Sequence, residues 1–222
     1  MNGNYKIIDE NSWDRKLHCR IFRNSVQPSY CVTSDIDVTE LYSYVKAKDC
    51  SFTLAFIYAV TKCANELENF RYRFLDGNIV LYDKCGTEFT YLKDGDELFY
   101  YVCAPYAESM EEYINNAERI IAEQKTYCDS LPANDAFQFS PMPWFSYTSV
   151  SHTFSGDNTK ANPMFDWGRL YEKNGRKLMP FSVQVHHSFA DGIHVARLFQ
   201  KLQEYMDSVS YTHLRAHETC AD

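Results

Sequence analysis

The stretch "SVQVHHSFADG", residues 182–192, decides how the rest of this sequence is interpreted. In its first half, polar and apolar residues alternate along the chain. This pattern predicts a strand with Val185 and His187 on the apolar face. Asp191 and Gly192 then form a turn into a last helix. An imidazole at the end of a buried strand is well placed to act as a general base, because its pKa of ~6.5 leaves it neutral often enough at pH 7 to accept a proton.

Three other interpretations of this stretch remain open from its pattern alone. A buried histidine satisfied by backbone hydrogen bonds would be equally ordinary. Asp191 would also serve as a simple helix N-cap. A metal site made of His186, His187 and Asp191 is disfavoured, because adjacent strand residues point to opposite faces and do not easily share one ion.

Hairpins and capped helices flank this stretch. The segments 70–83 and 163–187 read as hairpins that turn at Asp76-Gly77 and Asn174-Gly175. Further strands are predicted at 17–23, 30–38, 88–92, 97–104 and 137–154, the last with a bend bounded by prolines. Helices are predicted after Asp37 with Glu40, after Ser51, after Ser109 with Glu112, and from Gly192 onward.

The irregular alternation of helices and hairpins predicts an α/β fold. We expect a two-layer sandwich in which helices pack on a mixed, largely antiparallel sheet. Residues 1–208 form one domain in this interpretation. Residues 209–222 break the apolar stripe of the last helix, and we expect a disordered tail or a foreign extension left from cloning.

Composition excludes several classes of function. The 222 residues carry a formal net charge of −8 with scattered Lys and Arg, so nucleic-acid binding is not expected. The eight cysteines form no C-x-x-C pair, which disfavours zinc ribbons and thioredoxin-type sites. The N-terminal segment lacks a signal-peptide core, and the apolar run 52–60 is too short to cross a bilayer. We therefore expect a soluble, cytoplasmic protein with reduced thiols.

Four blocks of the sequence, in order, carry a family resemblance. They are "WDRKLHCRIF" (13–22), "VTSDIDVTEL" (32–41), "FSPMPWFSYTS" (139–149) and "QVHHSFADGIHVARLFQKLQEYMD" (184–207). Together they resemble the chloramphenicol acetyltransferases and their coenzyme A-dependent relatives, and dihydrolipoamide acyltransferase catalytic domains carry a similar H-x-x-x-D-G. The resemblance covers roughly residues 5–207. It implies the fold of that family and a single acyltransferase domain.

The resemblance implies a role for each matching residue. His187 would be the general base that takes a proton from an acceptor hydroxyl, which attacks the thioester of acetyl-CoA in a ternary complex. Ser140 would donate a hydrogen bond to the tetrahedral oxyanion. Asp191 would pair with Arg15 and fix the loop behind His187. Trp144 would line the cleft, with a place in the core as the alternative. No metal is required.

The resemblance also implies a homotrimer whose active sites lie between subunits. One subunit would supply the base, and its neighbour would supply much of the pocket for a small hydroxylated acceptor. The expected contacts of the substrates are Trp144, Phe22, Tyr30 and Asp166 for the acceptor, and Arg169 for the coenzyme A phosphates. An exposed strand arginine without that role is the alternative for Arg169.

Several positions depart from the family pattern on the acceptor side. Asp166 stands where the family has a threonine, Phe22 where a tyrosine is frequent, and Val150 and His152 where larger or more apolar residues are common. The expected function is O-acetyl transfer, with chloramphenicol as one candidate acceptor. The alternatives are a catalytically impaired trimer that binds ligand, favoured by Asp166, and an acyltransferase with another acceptor or a longer acyl group.

Overall fold

A computed structural model describes residues 3–129, 132–152 and 159–218, with side chains described up to residue 209. The strands in these ranges are β1 (Tyr5–Ile7), β2 (Ser29–Asp37), β3 (Tyr72–Leu75), β4 (Asn78–Tyr82), β5 (Gly86–Tyr91), β6 (Tyr100–Ala104), β7 (Ala136–Phe139), β8 (Met164–Trp167), β9 (Tyr171–Lys173) and β10 (Arg176–His186). The helices are α1 (Lys16–Arg23), α2 (Thr39–Lys48), α3 (Phe52–Asn65), α4 (Glu68–Arg71), α5 (Met110–Glu123) and α6 (Gly192–Glu218).

The main sheet is mixed and largely antiparallel, as predicted. Its strands follow the order β2-β10-β8-β7-β5-β6, and the short β9 pairs with β10. The β5–β7 and β7–β8 pairs are parallel, whereas the other pairs are antiparallel. Helices cover one face: Phe56 of α3 lies edge-on to Trp167 and Phe181, with ring centroids 5.0 and 5.4 Å away. The predicted class, helices packed on a mixed sheet, is confirmed.

Residues of the main sheet alternate between two faces. Phe165 and Phe181 face the helices and are fully buried. Asp166 and Ser182, which are partners in the β8–β10 register, therefore point to the other side, called here the outer face. Residues 140–152 run as a loop, and parts of this loop contact the outer face.

A second, three-stranded sheet lies beside the first. Its order is β1-β4-β3, and it contains the predicted hairpin at Asp76-Gly77, where φ is +47° and +80°. Arg73 of β3 is fully buried and donates to the backbone carbonyls of Phe70, Tyr72, Asn134 and Ala136. Because Ala136 begins β7 of the main sheet, this guanidinium joins the two sheets.

The local signals for turns and caps are confirmed at most positions. Asn174 and Gly175 have φ of +53° and +74° at the second predicted hairpin turn. The hydroxyls of Ser51 and Ser109 accept hydrogen bonds from the backbone N–H groups of Leu54 and Glu112. At α2 the prediction is displaced by one residue: Val38 occupies the N-cap position, and Asp37 accepts from the N–H and hydroxyl of Thr39.

Two predicted strands are wrong in part or whole. The segment predicted as a strand at 17–23 is helix α1, because its alternating apolar residues are not a buried row: Leu17 and Ile21 are exposed. The predicted strand 137–154 ends at Phe139, since Pro141 and Pro143 have no N–H to donate to a neighbouring strand. Residues 153 and 154 lie outside the described residues.

The last helix begins at Gly192, as predicted. It continues to Glu218, beyond the position where the apolar stripe breaks. The expectation for residues 209–222 stays a prediction, and residues 219–222 lie outside the described residues. None of the helices in the described ranges is long and apolar enough to cross a membrane.

Candidate active site

Arg15, the residue that precedes α1, holds the turn after β10 from three directions. Its Nη1 and Nη2 donate to the two carboxylate oxygens of Asp191 at 2.6 and 3.1 Å. Nη2 also donates to the carbonyl of His187, and Nε donates to the carbonyl of Ser188, both at 3.2 Å. The planar fork of a guanidinium makes such a set of bonds, which a lysine ammonium does not reproduce. The predicted Arg15–Asp191 pair is present in the structure.

The remaining carbonyls of this turn also bind side chains. Asn69 of α4 donates to the carbonyl of Phe189 at 2.7 Å, and the hydroxyl of Tyr30 donates to that of Ala190 at 3.4 Å. Burial raises the pKa of Tyr30 to about 12, so its hydroxyl keeps its proton. The turn is thus fixed by neighbouring elements rather than by its own backbone alone.

The ring of His187 is packed between aromatic side chains. It stacks on Phe22 with ring centroids 3.9 Å apart and planes at 4°, and Tyr30 lies 4.8 Å away. Nδ1 is buried 3.2 Å from Oδ1 of Asp191, but the two atoms lack hydrogen-bond alignment. About a third of the side chain (35%) stays exposed, so the ring is pinned without being enclosed.

His186 has a different environment from its neighbour. Its ring is buried against Phe74 and Phe189, and Nδ1 accepts from the backbone N–H of Ser188 at 3.1 Å. The interpretation of a buried, backbone-bonded histidine therefore describes His186, while His187 is the more accessible ring. In the described ranges, no group of three His, Cys, Asp or Glu side chains is arranged to hold a metal ion.

Asp191 lies directly before α6 but directs its carboxylate to Arg15. The hydrogen bond from Arg15 lowers the pKa of Asp191 below its usual value. The backbone N–H of Asp191 donates to Nδ1 of His194 at 2.8 Å. Burial, reinforced by the charge of Arg15, lowers the pKa of His194 and keeps that nitrogen available as an acceptor.

Ser140 lies on the outer face, far from His187 in the same chain. It follows β7 directly and donates its N–H to the carbonyl of Phe165 at 3.1 Å, which places it beside Asp166. Asp166 pairs with Ser182, and His187 follows five residues later along β10. At about 3.3 Å per residue and about 4.8 Å between strands, Ser140 and His187 are roughly 19 Å apart.

The structure therefore divides the predicted residues into two groups. His187, Arg15, Asp191, Phe22 and Tyr30 form the first group at the end of β10. Ser140 and Asp166 belong to a second group on the outer face.

Asp166 is fully buried and pairs with His152 of the overlying loop. Oδ2 of Asp166 lies 2.6 Å from Nε2 of His152. Burial raises the pKa of Asp166, and the hydrogen bond from His152 opposes that change. Beside this pair, the hydroxyls of Ser182 and Thr33 are 2.7 Å apart. The carboxylate thus faces an imidazole.

Trp144 and Arg169 are both exposed. Trp144 is 62% exposed and therefore is not a core residue. Arg169 follows Gly168 after β8, and its backbone N–H donates to the carbonyl of Phe145 at 2.8 Å. Both side chains are therefore accessible to a bound molecule.

Sequence reasoning missed two residues that build the site, Asn69 and His194, and one pairing. Asn69 gives no local signal, because its bond to Phe189 spans 120 residues. His194 could have been found from the capping-box pattern. In that pattern, the side chain three residues after the N-cap residue accepts a hydrogen bond from the N–H of the N-cap residue, as His194 does from Asp191. The sequence shows His152 and Asp166 as departures from the family pattern, but their pairing depends on how the loop lies on β8 and has no local signal.

Comparisons with known proteins identify the family of this chain. The family profile "Chloramphenicol acetyltransferase" matches residues 3–203. A chloramphenicol acetyltransferase of Proteus mirabilis is 29% identical over 207 residues, covering 90% of this chain and 94% of the relative. Chloramphenicol acetyltransferase 2 of Haemophilus influenzae is 26% identical over 211 residues, covering 93% and 99%.

Solved structures show the same relationship. A chloramphenicol acetyltransferase structure superposes with a TM-score of 0.83 at 27% identity, covering 91% of this chain and all of the other. A probable dihydrolipoamide acetyltransferase of Listeria monocytogenes gives a TM-score of 0.61 at 13% identity, covering 87% of this chain and 90% of the other, a likeness of fold alone.

Proposed function

The chain belongs to the chloramphenicol acetyltransferase family and is an acyltransferase, and from this premise we propose that it moves an acetyl group from acetyl-CoA to a hydroxyl of a small acceptor. Chloramphenicol is a candidate acceptor, and antibiotic resistance would be the corresponding role. The observation that carries the proposal is the three-way grip of Arg15 on Asp191 and on the carbonyls of His187 and Ser188.

We assign the general base to His187. Nδ1 is buried beside Asp191, so Nε2 is the nitrogen left for the acceptor. Nε2 takes the hydroxyl proton while the oxygen attacks the thioester carbonyl carbon. When the tetrahedral intermediate collapses, its C–S bond breaks, and the coenzyme A thiolate takes the proton back from the imidazolium. Both substrates are present together, so no acetylated enzyme is needed.

Ser140 is proposed to donate to the oxyanion of the intermediate. Loss of such a donor typically slows turnover by about 10²–10³-fold. Arg169, exposed after β8, is proposed to reach the phosphates of coenzyme A, and Trp144 to contact the acceptor. The chemistry needs no metal ion. Buried thiols such as Cys19, Cys63 and Cys85 support a place in the reducing cytoplasm.

We also propose a homotrimer with active sites shared between subunits. The support is the distance within one chain: His187 and Ser140 are too far apart to act on one substrate, so a second copy must supply the missing half. A symmetric ring of copies closes when the base of each subunit meets the outer face of the next.

Thiol release tests the activity. Purified protein, acetyl-CoA and a panel of hydroxylated acceptors that includes chloramphenicol should release coenzyme A thiol. His187→Ala should lower kcat by about 10²–10⁴-fold and keep coenzyme A binding, measured by calorimetry. His18→Ala, at an exposed histidine of α1, is the matched control and should change little. Normal coenzyme A binding without thiol release from any acceptor would instead support the ligand-binding alternative.

Complementation tests the shared sites. His187→Ala and Ser140→Ala chains with different affinity tags should each be nearly inactive. When both are co-expressed and the doubly tagged assemblies are isolated, each mixed trimer holds two copies of one chain and one of the other, so about one third of its sites pair an intact base with an intact serine. Activity near that fraction is expected. No recovery in assemblies shown to contain both chains would refute sharing.

A further inference from the structure

His194, in the first turn of α6, makes a hydrogen bond that the proposed reaction leaves unused. Its ring Nδ1 accepts from the backbone N–H of Asp191 at 2.8 Å, and its own backbone N–H donates to the carbonyl of Asp191 at 2.9 Å. The carboxylate of Asp191 is bound by Arg15. Asp191 is therefore tied through its backbone to α6 and through its side chain to the residue before α1.

A histidine at this position differs from the residues that usually fill it. In a capping box the side chain three residues after the N-cap residue is Glu or Gln, whose oxygen accepts a hydrogen bond over a wide range of pH. An imidazole nitrogen accepts only while it carries no proton. If His194 were protonated, a hydrogen on Nδ1 would point at the N–H of Asp191, and two donors would oppose each other. The observed bond thus needs a neutral ring with its hydrogen on Nε2.

Charged groups act on this ring from three parts of the chain. Arg15 lies before α1, Asp191 lies in the turn, and Arg197 lies three residues further along α6. The two arginines and the positive end of the helix dipole disfavour an imidazolium here, whereas Asp191, with Oδ2 3.8 Å from Nδ1, favours it. Only 15% of the side chain is exposed, and this burial is the largest cause that lowers the pKa of His194. The ring is therefore neutral at pH 7 and takes up a proton as the solution becomes acidic.

The bond is coupled to the general base through Arg15. The guanidinium that holds the carboxylate of Asp191 also donates to the carbonyls of His187 and Ser188, both at 3.2 Å. Nδ1 of His187 lies 3.2 Å from Oδ1 of the same carboxylate. A shift of the Asp191 backbone therefore displaces the guanidinium, and the base with it. A misplacement of about 1 Å can slow a reaction about 100-fold, even when its cause is distant from the chemistry.

We propose that His194 is a positioning residue: its neutral ring holds the turn that carries the general base, and its protonation releases that turn and slows turnover. The inference rests on the proposed function and names a regulation of the same site by pH. His194 neither contacts a substrate nor transfers a proton in the reaction. Acidification then lowers turnover in two ways, by protonating the base His187 and by protonating His194.

Two substitutions at this position test the inference by thiol release at saturating substrate concentrations. His194→Gln supplies the usual capping-box acceptor and does not titrate, whereas His194→Leu removes the acceptor. At pH 8, His194→Leu should lower kcat by about 5- to 30-fold, and His194→Gln should recover most of that loss. Below about pH 6.5, the kcat of the native protein should fall about 5- to 30-fold further than that of His194→Gln. His18→Gln, at an exposed histidine of α1, is the matched control and should follow the native profile.

A second measurement reads the bond without activity. In protein containing isotope-labelled histidine, the NMR nitrogen shifts of His194, assigned by their loss in His194→Gln, should show a neutral ring with its hydrogen on Nε2 at pH 7.

The outcomes separate this inference from the proposed function. A hydrogen on Nδ1 of His194 at pH 7, or pH profiles of kcat that coincide for the native protein and His194→Gln, would refute the inference alone. Thiol release from none of the acceptors would refute the function. A merely structural role would destabilise His194→Leu and still leave those two pH profiles superimposable. If His194→Leu does not fold, the comparison of His194→Gln with the native protein decides the test.

Discussion

At the scale of single residues, adjacent histidines show what a local pattern decides and what it leaves open. Alternation correctly separates His186 from His187, but it does not say which ring is enclosed. The answer comes from long-range packing: Phe74 covers His186, whereas Phe22 of α1 stacks on His187 and leaves part of it exposed. The Arg15–Asp191 pair was likewise predictable only through the family resemblance, because 176 positions separate its members.

Asp191→Asn should cost both stability and turnover. The substitution keeps the shape of the side chain but removes the charge that Arg15 binds, so the free energy of unfolding should fall by about 1.5–3 kcal/mol. The turn that carries His187 loosens, and kcat should fall by up to about 100-fold while the KM for acetyl-CoA changes little. Urea unfolding and steady-state kinetics measure the two effects.

The pH dependence of this loss has a definite sign. The folded pKa of Asp191 lies below its unfolded value of about 3.9, so the carboxylate contributes fully above that value. The stability difference between native protein and variant should be constant from about pH 8 to pH 5 and shrink below about pH 4. Glu123→Gln, at a surface pair with Arg119, should change stability by less than about 1 kcal/mol. A difference that grows on acidification would contradict the assignment.

At the scale of elements, turns and helix caps were predictable from the sequence, whereas the burial of each element was not. Asp76-Gly77, Ser51 and Ser109 act through bonds to residues within a few positions, so their turns and caps follow from the sequence. Helix α1 was mistaken for a strand because Leu17 and Ile21 suit either period. Both are exposed and only Cys19 of this helix is buried, so the positions of the apolar residues do not show the helical period.

Gly168→Ala should displace the loop that bears Trp144. A Cβ at Gly168 would lie 2.9 Å from the carbonyl oxygen of Phe145 and 2.9 Å from Cγ of Pro180, closer than atoms pack. The loop must move off the strand, at a cost of about 1–3 kcal/mol in unfolding free energy, and the acceptor KM should rise. Gly192→Ala is the matched control, since a Cβ there meets nothing within 4 Å. Equal behaviour of the two variants would show that the close approach is unimportant.

At the scale of the whole molecule, the order of hairpins and helices predicted the fold class but not the residues that share a face. The neighbourhood of Ser140, Asp166 and Ser182 depends on the register of three strands drawn from distant parts of the chain. Arg73 illustrates the same limit: it looks like an ordinary charged hairpin residue, yet it is buried and joins both sheets through backbone carbonyls. Sequence periodicity carries no information about such registers.

Separation of Ser140 from His187 has a kinetic consequence for the whole assembly. If each site needs two chains, a refolded chain has native secondary structure before it has activity. After dilution from urea, the recovery of far-ultraviolet circular dichroism should be independent of protein concentration. Recovery of thiol release should accelerate over a roughly 100-fold increase in concentration, because subunit association is concentration-dependent. Activity that returns at one rate at every concentration, in step with secondary structure, would mean that a single chain already holds a complete site.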